Sequence, residues 1–297
     1  MPLGRPRKGG EAGPTRKIGS PTGPYDEGGP MDVTPAGGSV GAYVQGVNLA
    51  EPLGRETIDR LLSAWHRWGV LFFRDQQLTD AEHLAAASLF GDPVPFGFAP
   101  SVDREGLVHL IDHEDGGRRQ GGGSTWHSDA TWLERPPRGS MLRGVRLPKV
   151  GGDTLFASMS AAFDDLSPRT QAFVDGLTAL HDGGVNLTRA ARRVGITVPT
   201  EPVAHPVIRR HPDTGARCVF VNRLFTRRIL ELSPSESDAV LPMLCALATR
   251  PEHQCRFAWQ EGDVAIWDNR SVQHYASPDY DETRVMHRVV LAGDPVL

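Results

Sequence analysis

Apolar positions along this chain follow two rhythms. Ile58, Leu61, Leu62 and Trp65 fall at i, i+3, i+4 and i+7, the spacing of one face of an amphipathic helix. Val70-Leu71-Phe72-Phe73 has no polar position, the pattern of a short strand covered on both sides. Thr79-Asp80-Ala81-Glu82 reads as a capping box, opening a helix that runs to about Phe90. Val40 to Val47 reads as a strand interrupted by glycines.

Beyond Leu107 the rhythm shortens. Leu107 to Ile111, Met141 to Leu147 and Asp153 to Ala157 read as strands, and two short helices are predicted near Ser160 to Leu166 and Pro168 to Leu177. Val207 to Arg210 and Arg217 to Val221 flank His211-Pro212-Asp213-Thr214-Gly215, a hairpin signal. Ser233-Pro234-Ser235-Glu236 is a second capping box, with Pro at the first helical position. Strands return at Arg256 to Trp259, Val264 to Trp267 and Val285 to Leu291. His181 to Ala204 lacks periodicity and is long for a connection, so it is a candidate mobile lid. Met1 to about Pro30 is rich in Gly, Pro and Lys/Arg and cannot offset the entropy of ordering. The expected organisation is a flexible extension over residues 1–31 and one folded domain over 32–297. Many short strands with a few helices beside them predict an α+β domain built on a β-sandwich or jelly roll; no strand-helix alternation supports a doubly wound parallel sheet.

Composition narrows the function classes. With 297 residues, 39% of them hydrophobic, and a net charge of −4, the chain has an ordinary globular make-up. It has no charge excess to suit nucleic acid or a membrane surface, and no apolar run long enough to cross a bilayer. No apolar segment follows the basic N-terminal residues, so no secretory signal is read. Cys218, Cys245 and Cys255 are odd in number and lack C-x-x-C spacing, which fits reduced thiols and a cytoplasmic setting.

The chemistry concentrates in two places. In Trp126-His127-Ser128-Asp129, a His and an Asp two residues apart would share one face of an extended segment. With a second, distant His they could form a 2-His-1-carboxylate set, which binds Fe(II) on one side and leaves the other open. H-x-D alone is common. The segment Gly262 to His274 strengthens it: an apolar strand leads through Trp267-Asp268-Asn269-Arg270 to His274, with Arg284 and Arg288 beyond. Arginines there suit a carboxylate cosubstrate or an anionic substrate. A zinc hydrolase could use the same two His and Asp with a bound water, but would not need those arginines. His66 and His109 read as structural, and His287, next to Arg288 on a strand, should face away from it.

Four segments in order, Trp126-His127-Ser128-Asp129, Gly151-Gly152-Asp153-Thr154-Leu155, Trp267-Asp268-Asn269-Arg270 with Gln273-His274, and Met286-His287-Arg288, resemble the taurine and phenoxyacetate-herbicide dioxygenases, the TauD/TfdA family. The resemblance runs from about Val33 to the C-terminus. It implies a double-stranded β-helix (jelly roll) with flanking helices, Fe(II), 2-oxoglutarate and O2. By position it assigns His127, Asp129 and His274 to iron, Thr154 and Arg284 to the distal carboxylate of 2-oxoglutarate, and Arg288 to the substrate anion or the cosubstrate. Phe225 matches an aromatic that closes over the substrate. Phe96 and Ala99 stand where taurine-using members have a His and a Tyr, and Gly123 replaces an Asn. With Phe98 they imply a more apolar pocket and a substrate other than taurine. The expected activity is hydroxylation of a small, anionic and partly apolar substrate with release of succinate and CO2. Desaturation or cyclisation in a natural-product pathway is the alternative within the family. Homo-oligomers, dimers or tetramers, are the family's expectation.

Overall fold

The fully apolar strand β3 (Val70–Phe73) shows how the domain is layered. Successive strand side chains point to opposite faces. Leu71 and Phe73 enter one core and Val70 and Phe72 another, and all four are buried. The neighbouring strand β14 (Val264–Asp268) does the same: Val264 and Ile266 face one way, Ala265 and Trp267 the other. A strand covered on both sides favours apolar side chains throughout, which is why Val70–Phe73 and Val264–Trp267 read as unbroken apolar sequence, while Asp268 at the end of β14 is buried in an ion pair.

The structure is a computed structural model that describes residues 31–96, 100–113, 122–184 and 201–296. Residues 1–30 of the predicted N-terminal extension, Phe98, Ala99 and most of the candidate lid lie outside the described residues, whereas Met31, the extension's last residue, is buried in the core of the folded domain. Strands are numbered in chain order. The largest sheet has the order β1 (Asp32–Pro35), β2 (Ala42–Gln45), β3, β14, β6 (Gly139–Arg146), β16 (Arg284–Leu291) and β4 (Pro93–Val94), with β5 (Val108–His113) also on β16. A second sheet runs β13 (Gln254–Phe257), β7 (Thr154–Ser158), β15 (Val272–Ala276). A third runs β12 (Thr226–Ile229), β8 (Thr178–His181), β9 (Val203–Pro206), and β10 (Ile208–Arg210) pairs with β11 (Arg217–Val219). Apart from the parallel β2–β3 pair, the ladders are antiparallel.

The eight-stranded and β13-β7-β15 sheets pack face to face. Phe72 of β3 stacks on Phe257 of β13 at 4.2 Å between ring centroids, and Phe156, Leu142 and Met286 fill the same layer. On its outer face the large sheet is covered by α1 (Arg55–Trp68) and α2 (Asp80–Ser88). The predicted periodicity of α1 buries Leu61 and Trp65, and the helix stops at Gly69, whose φ of 71° lets its N–H return to the Trp65 carbonyl at 2.7 Å. Each such fully buried apolar side chain contributes about 1.5–3 kcal/mol. Both predicted capping boxes are present, Thr79 with Glu82 on α2 and Ser233 with Glu236 on α5 (Pro234–Ala248). The latter helix packs with α3 (Met159–Asp164), α4 (Pro168–Val174) and the β8 and β10–β11 strands in a separate core. The fold is therefore mixed α+β. Among the described residues no helix is long and apolar enough to cross a membrane.

Sequence reading misses several strands. β1, β4, β8, β9, β12 and β15 are five residues or shorter, and their pairing partners rather than their own patterns make them strands. The His127-x-Asp129 segment is also not a regular strand. Only His127 forms a bridge, to His274, and Asp129 already belongs to a turn in which Ala130 has φ 49°.

Candidate metal centre

His274 sits mid-strand on β15, and the chain holds His127 against it by two main-chain hydrogen bonds. His127 N donates to the His274 carbonyl at 3.1 Å, and His274 N returns to the His127 carbonyl at 2.8 Å. The two imidazoles lie 4.2 Å apart between centroids. The turn after His127 then swings Asp129 back between them. Its Oδ1 lies 3.8 Å from His127 Nε2 and 3.7 Å from His274 Nε2. One ligand atom from each residue falls within 4.8 Å of the others, and all three residues are buried. The Ala130 conformation, in the left-handed region that disfavours a side chain, is local strain beside the centre.

The donor set fits a divalent transition metal. His127 Nδ1 is 2.6 Å from the Thr125 carbonyl, so the proton sits on Nδ1 and the Nε2 lone pair faces Asp129. Burial pushes the His127 imidazole below its ordinary pKa, and burial with the neighbouring His127 pushes His274 down to about 3. Both rings are therefore neutral at pH 7 and able to ligate. Burial opposes the Asp129 charge, but His274, Arg288 and the Ser140 hydroxyl outweigh it and hold the carboxyl well below its usual range. Two neutral imidazoles and one carboxylate are the donors of a facial Fe(II) site.

β16 brings both predicted arginines to this region. Arg288 Nη1 is 3.4 Å from Asp129 Oδ1, and its guanidinium lies 4.8 Å from the Phe96 ring centroid. Its Nε is buried without a hydrogen-bond partner among the described residues. Arg284 is 4% exposed, with Nε donating to the Gly152 carbonyl at 3.1 Å. Burial lowers its pKa, opposed by Tyr280, which hydrogen-bonds it, and by the Asp153 charge. Thr154, two residues past Gly152, is buried and accepts a hydrogen bond from Trp259 Nε1 at 2.9 Å. Gly152 leaves no room to spare: a Cβ there would meet Arg284 Cδ and Nε at 3.2 Å.

The apolar side of the centre is built by Phe225 and Trp132, whose ring centroids are 4.5 Å apart, with Phe225 6.0 Å from His127. Phe96 packs with them. Residues expected to be structural behave so. His287 turns away from Arg288 and reaches Asp80 Oδ1 at 2.6 Å. His109 is buried and its Nε2 accepts from Phe96 N at 3.1 Å. His66 lies 3.2 Å from Asp213. The three cysteines are free and buried, and burial pushes their thiols up to about 12, 11 and 12 for Cys218, Cys245 and Cys255.

The structure adds residues to which sequence reading gave no role. Asn269 bonds both the amide and the side chain of Asp129, and Ser140 donates to Asp129 at 2.8 Å. Behind Asn269, Asp268 and Arg270 form a buried ion pair at 2.6 Å, joined by His211 at 2.9 Å. The Trp267-Asp268-Asn269-Arg270 motif flagged this stretch without saying which member does what.

Comparison with known proteins agrees with this geometry. A model of the "Taurine catabolism dioxygenase TauD, TfdA family" matches residues 32–290. An alkylsulfatase of Acinetobacter baylyi is 37% identical over 86% of this chain and 83% of its own length. An alpha-ketoglutarate-dependent sulfate ester dioxygenase of Pseudomonas putida is 35% identical over 89% of this chain and 90% of its own. Among solved structures, a taurine dioxygenase from Burkholderia xenovorans superposes with a TM-score of 0.79 at 35% identity, covering 91% of this chain and 93% of the other. With the family match spanning almost all of the described fold and relatives aligned nearly end to end, this chain belongs to the TauD/TfdA dioxygenase family.

Proposed function

We propose that this chain is an Fe(II)- and 2-oxoglutarate-dependent dioxygenase that hydroxylates a small organic anion with an apolar body. The carrying observation is the buried His127–Asp129–His274 cluster with Arg288 against its carboxylate. Bound iron with 2-oxoglutarate would supply the O2-derived oxidant for a substrate C–H bond, with succinate and CO2 as coproducts. Facing sheets with their core between them support reading the fold as a double-stranded β-helix.

The chain's own residues divide the work. His127, Asp129 and His274 hold the metal on one side. Arg284, a buried guanidinium held by the Gly152 carbonyl and Tyr280, binds the distal carboxylate of 2-oxoglutarate together with Thr154. A buried guanidinium is costly without an anion, so this pairing satisfies it. Arg288 orients the substrate anion, using the face of Phe96 as its support. Phe96, Phe225 and Trp132 keep water from the reacting carbon and favour an apolar body, each buried methylene contributing about 0.8 kcal/mol. Sulfate-ester chemistry in the names of two relatives makes alkyl and aryl sulfates the first class to try.

The test is anaerobic reconstitution with Fe(II) and 2-oxoglutarate, followed by succinate release under O2 across organic sulfates, sulfonates and carboxylates. A visible metal-to-ligand band and anion-stimulated succinate are expected. Absence of both sinks the assignment. Arg288→Ala should raise the substrate KM; if only the 2-oxoglutarate KM rises, Arg288 serves the cosubstrate instead.

A further inference from the structure

The two oxygens of Asp129 live in different surroundings. Oδ1 faces the imidazoles, 3.8 Å and 3.7 Å from their Nε2 atoms, and accepts from Arg288 at 3.4 Å. Oδ2 accepts from Ser140 Oγ at 2.8 Å and from Asn269 Nδ2 at 3.2 Å. We propose that Ser140 and Asn269 are positioning residues that hold Oδ2 off the metal, so that Asp129 ligates through Oδ1 alone. The proposal rests on the metal reading given above.

Neither donor is free to let go. Ser140 is fully buried on β6, between Trp267 of β14 and Val290 of β16. Asn269 is set from two directions: its Oδ1 accepts from Trp267 Nε1 at 3.0 Å and from Asp129 N at 3.2 Å. Two donors on that oxygen fix which way the amide points, and Nδ2 is left facing Asp129 Oδ2. The residues on either side of Asn269 form the Asp268–Arg270 ion pair, and both are fully buried. The chain thus spends a buried backbone frame, an amide and a hydroxyl on one carboxylate oxygen.

What this arrangement controls is denticity. A carboxylate can bind a metal through one oxygen or two. With both Asp129 oxygens on the ion, a position otherwise open to cosubstrate or O2 would be filled. Ser140 and Asn269 would therefore keep the open side of the site open, a role distinct from simply raising metal affinity.

Mn(II) is a suitable probe, bound to the full chain without cosubstrate. Its affinity is read from the EPR signal of the free ion, and its exchangeable waters from proton relaxation. Ser140→Ala and Asn269→Ala should bind Mn(II) as well as wild type or more tightly, yet carry one fewer bound water. Succinate formation with Fe(II) should fall about tenfold or more. Ser140→Thr, which restores the hydroxyl, should restore the water. Affinity and turnover falling together with the water number unchanged would show a merely structural role and overturn the proposal, as would variants matching wild type throughout. Should Asn269→Ala fail to fold by circular dichroism, Ser140→Ala, which deletes one oxygen, carries the same test. A wild-type chain that binds no Mn(II) overturns the metal reading itself and this proposal with it.

Discussion

Replacing Arg270 with Met tests how firmly the frame behind the metal centre is held. Arg270 is fully buried and donates through Nε to Asp268 Oδ1 at 2.8 Å and through Nη2 to Asp268 Oδ2 at 2.6 Å. Its Nη1 reaches Asp213 at 2.8 Å, and its guanidinium lies 5.5 Å from the Trp65 ring centroid. Met keeps much of the volume but strands the Asp268 carboxylate, leaving it His211 and the residue 270 amide. Breaking a buried pair by removing one partner costs about 3–5 kcal/mol. At about 2–4 °C per kcal/mol, the expected fall in Tm is roughly 6 °C or more. Calorimetry or urea denaturation of the metal-free chain measures it. Adding Asp268→Asn should recover part of the loss, because the stranded charge is gone. Arg55→Ala is the control: its pair with Asp59 is exposed and should contribute almost nothing. The wild-type advantage should also depend on acid. Burial opposes the Asp268 charge, but the Arg270 and His211 hydrogen bonds outweigh it and hold the carboxyl well below its usual range. A depressed carboxyl stabilises the fold above the unfolded value near 3.9 and loses that contribution progressively as pH falls through the depressed folded value, so the gap between wild type and Arg270→Met should begin to narrow below about pH 4 and go on narrowing with further acid. A loss under about 1 kcal/mol, or a double variant no better than the single, would refute the reasoning.

Arg284→Ala should raise the 2-oxoglutarate KM about tenfold to a hundredfold, the equivalent of a charge-assisted contact of roughly 1.5–3 kcal/mol; an unchanged KM would move the cosubstrate anchor elsewhere. Asp129→Ala should abolish the metal-induced rise in Tm, which for the wild type at a hundred times Kd corresponds to about 2.7 kcal/mol, and a persistent rise would remove Asp129 from the ligand set. Burial pushes His83 and His181 down to about 3, so below the unfolded value near 6.5 only the unfolded chain takes up their protons, and stability falls as pH falls. His83→Leu should flatten this slope by up to about 1.4 kcal/mol per pH unit between pH 6 and pH 4, and denaturation series at both pH values would show whether it does.

The sequence carries the site's parts more fully than its assembly. The two capping boxes and the α1 periodicity are local signals, and local hydrogen bonds and packing honour them. His127, Asp129, His274 and Arg288 were legible because their chemistry is rare enough to notice in order, and the fold brings these four together. The route is not legible: alternation on a strand predicts that His127 and Asp129 share a face, whereas a turn with Ala130 at φ 49° brings them together. Ser140 could not be read at all. A serine in Gly139-Ser140-Met141-Leu142 has no pattern of its own, and only the β6 register beside β14 and β16 carries it to Asp129. β4 and β12 escaped for a similar reason, being short strands defined by their partners.

The reciprocal main-chain bridge between His127 and His274 has a consequence for biosynthesis. The two residues come from opposite halves of the chain, and β15 meets His127 from its place beside β7. Contacts this distant in sequence are the slow ones to close, because the loop between them must be ordered first. A nascent chain stopped short of β15 would present His127 and Asp129 without His274, the third member of the cluster. The three-residue cluster is therefore complete only once β15 has closed on His127, and a chain truncated before His274 would lack it.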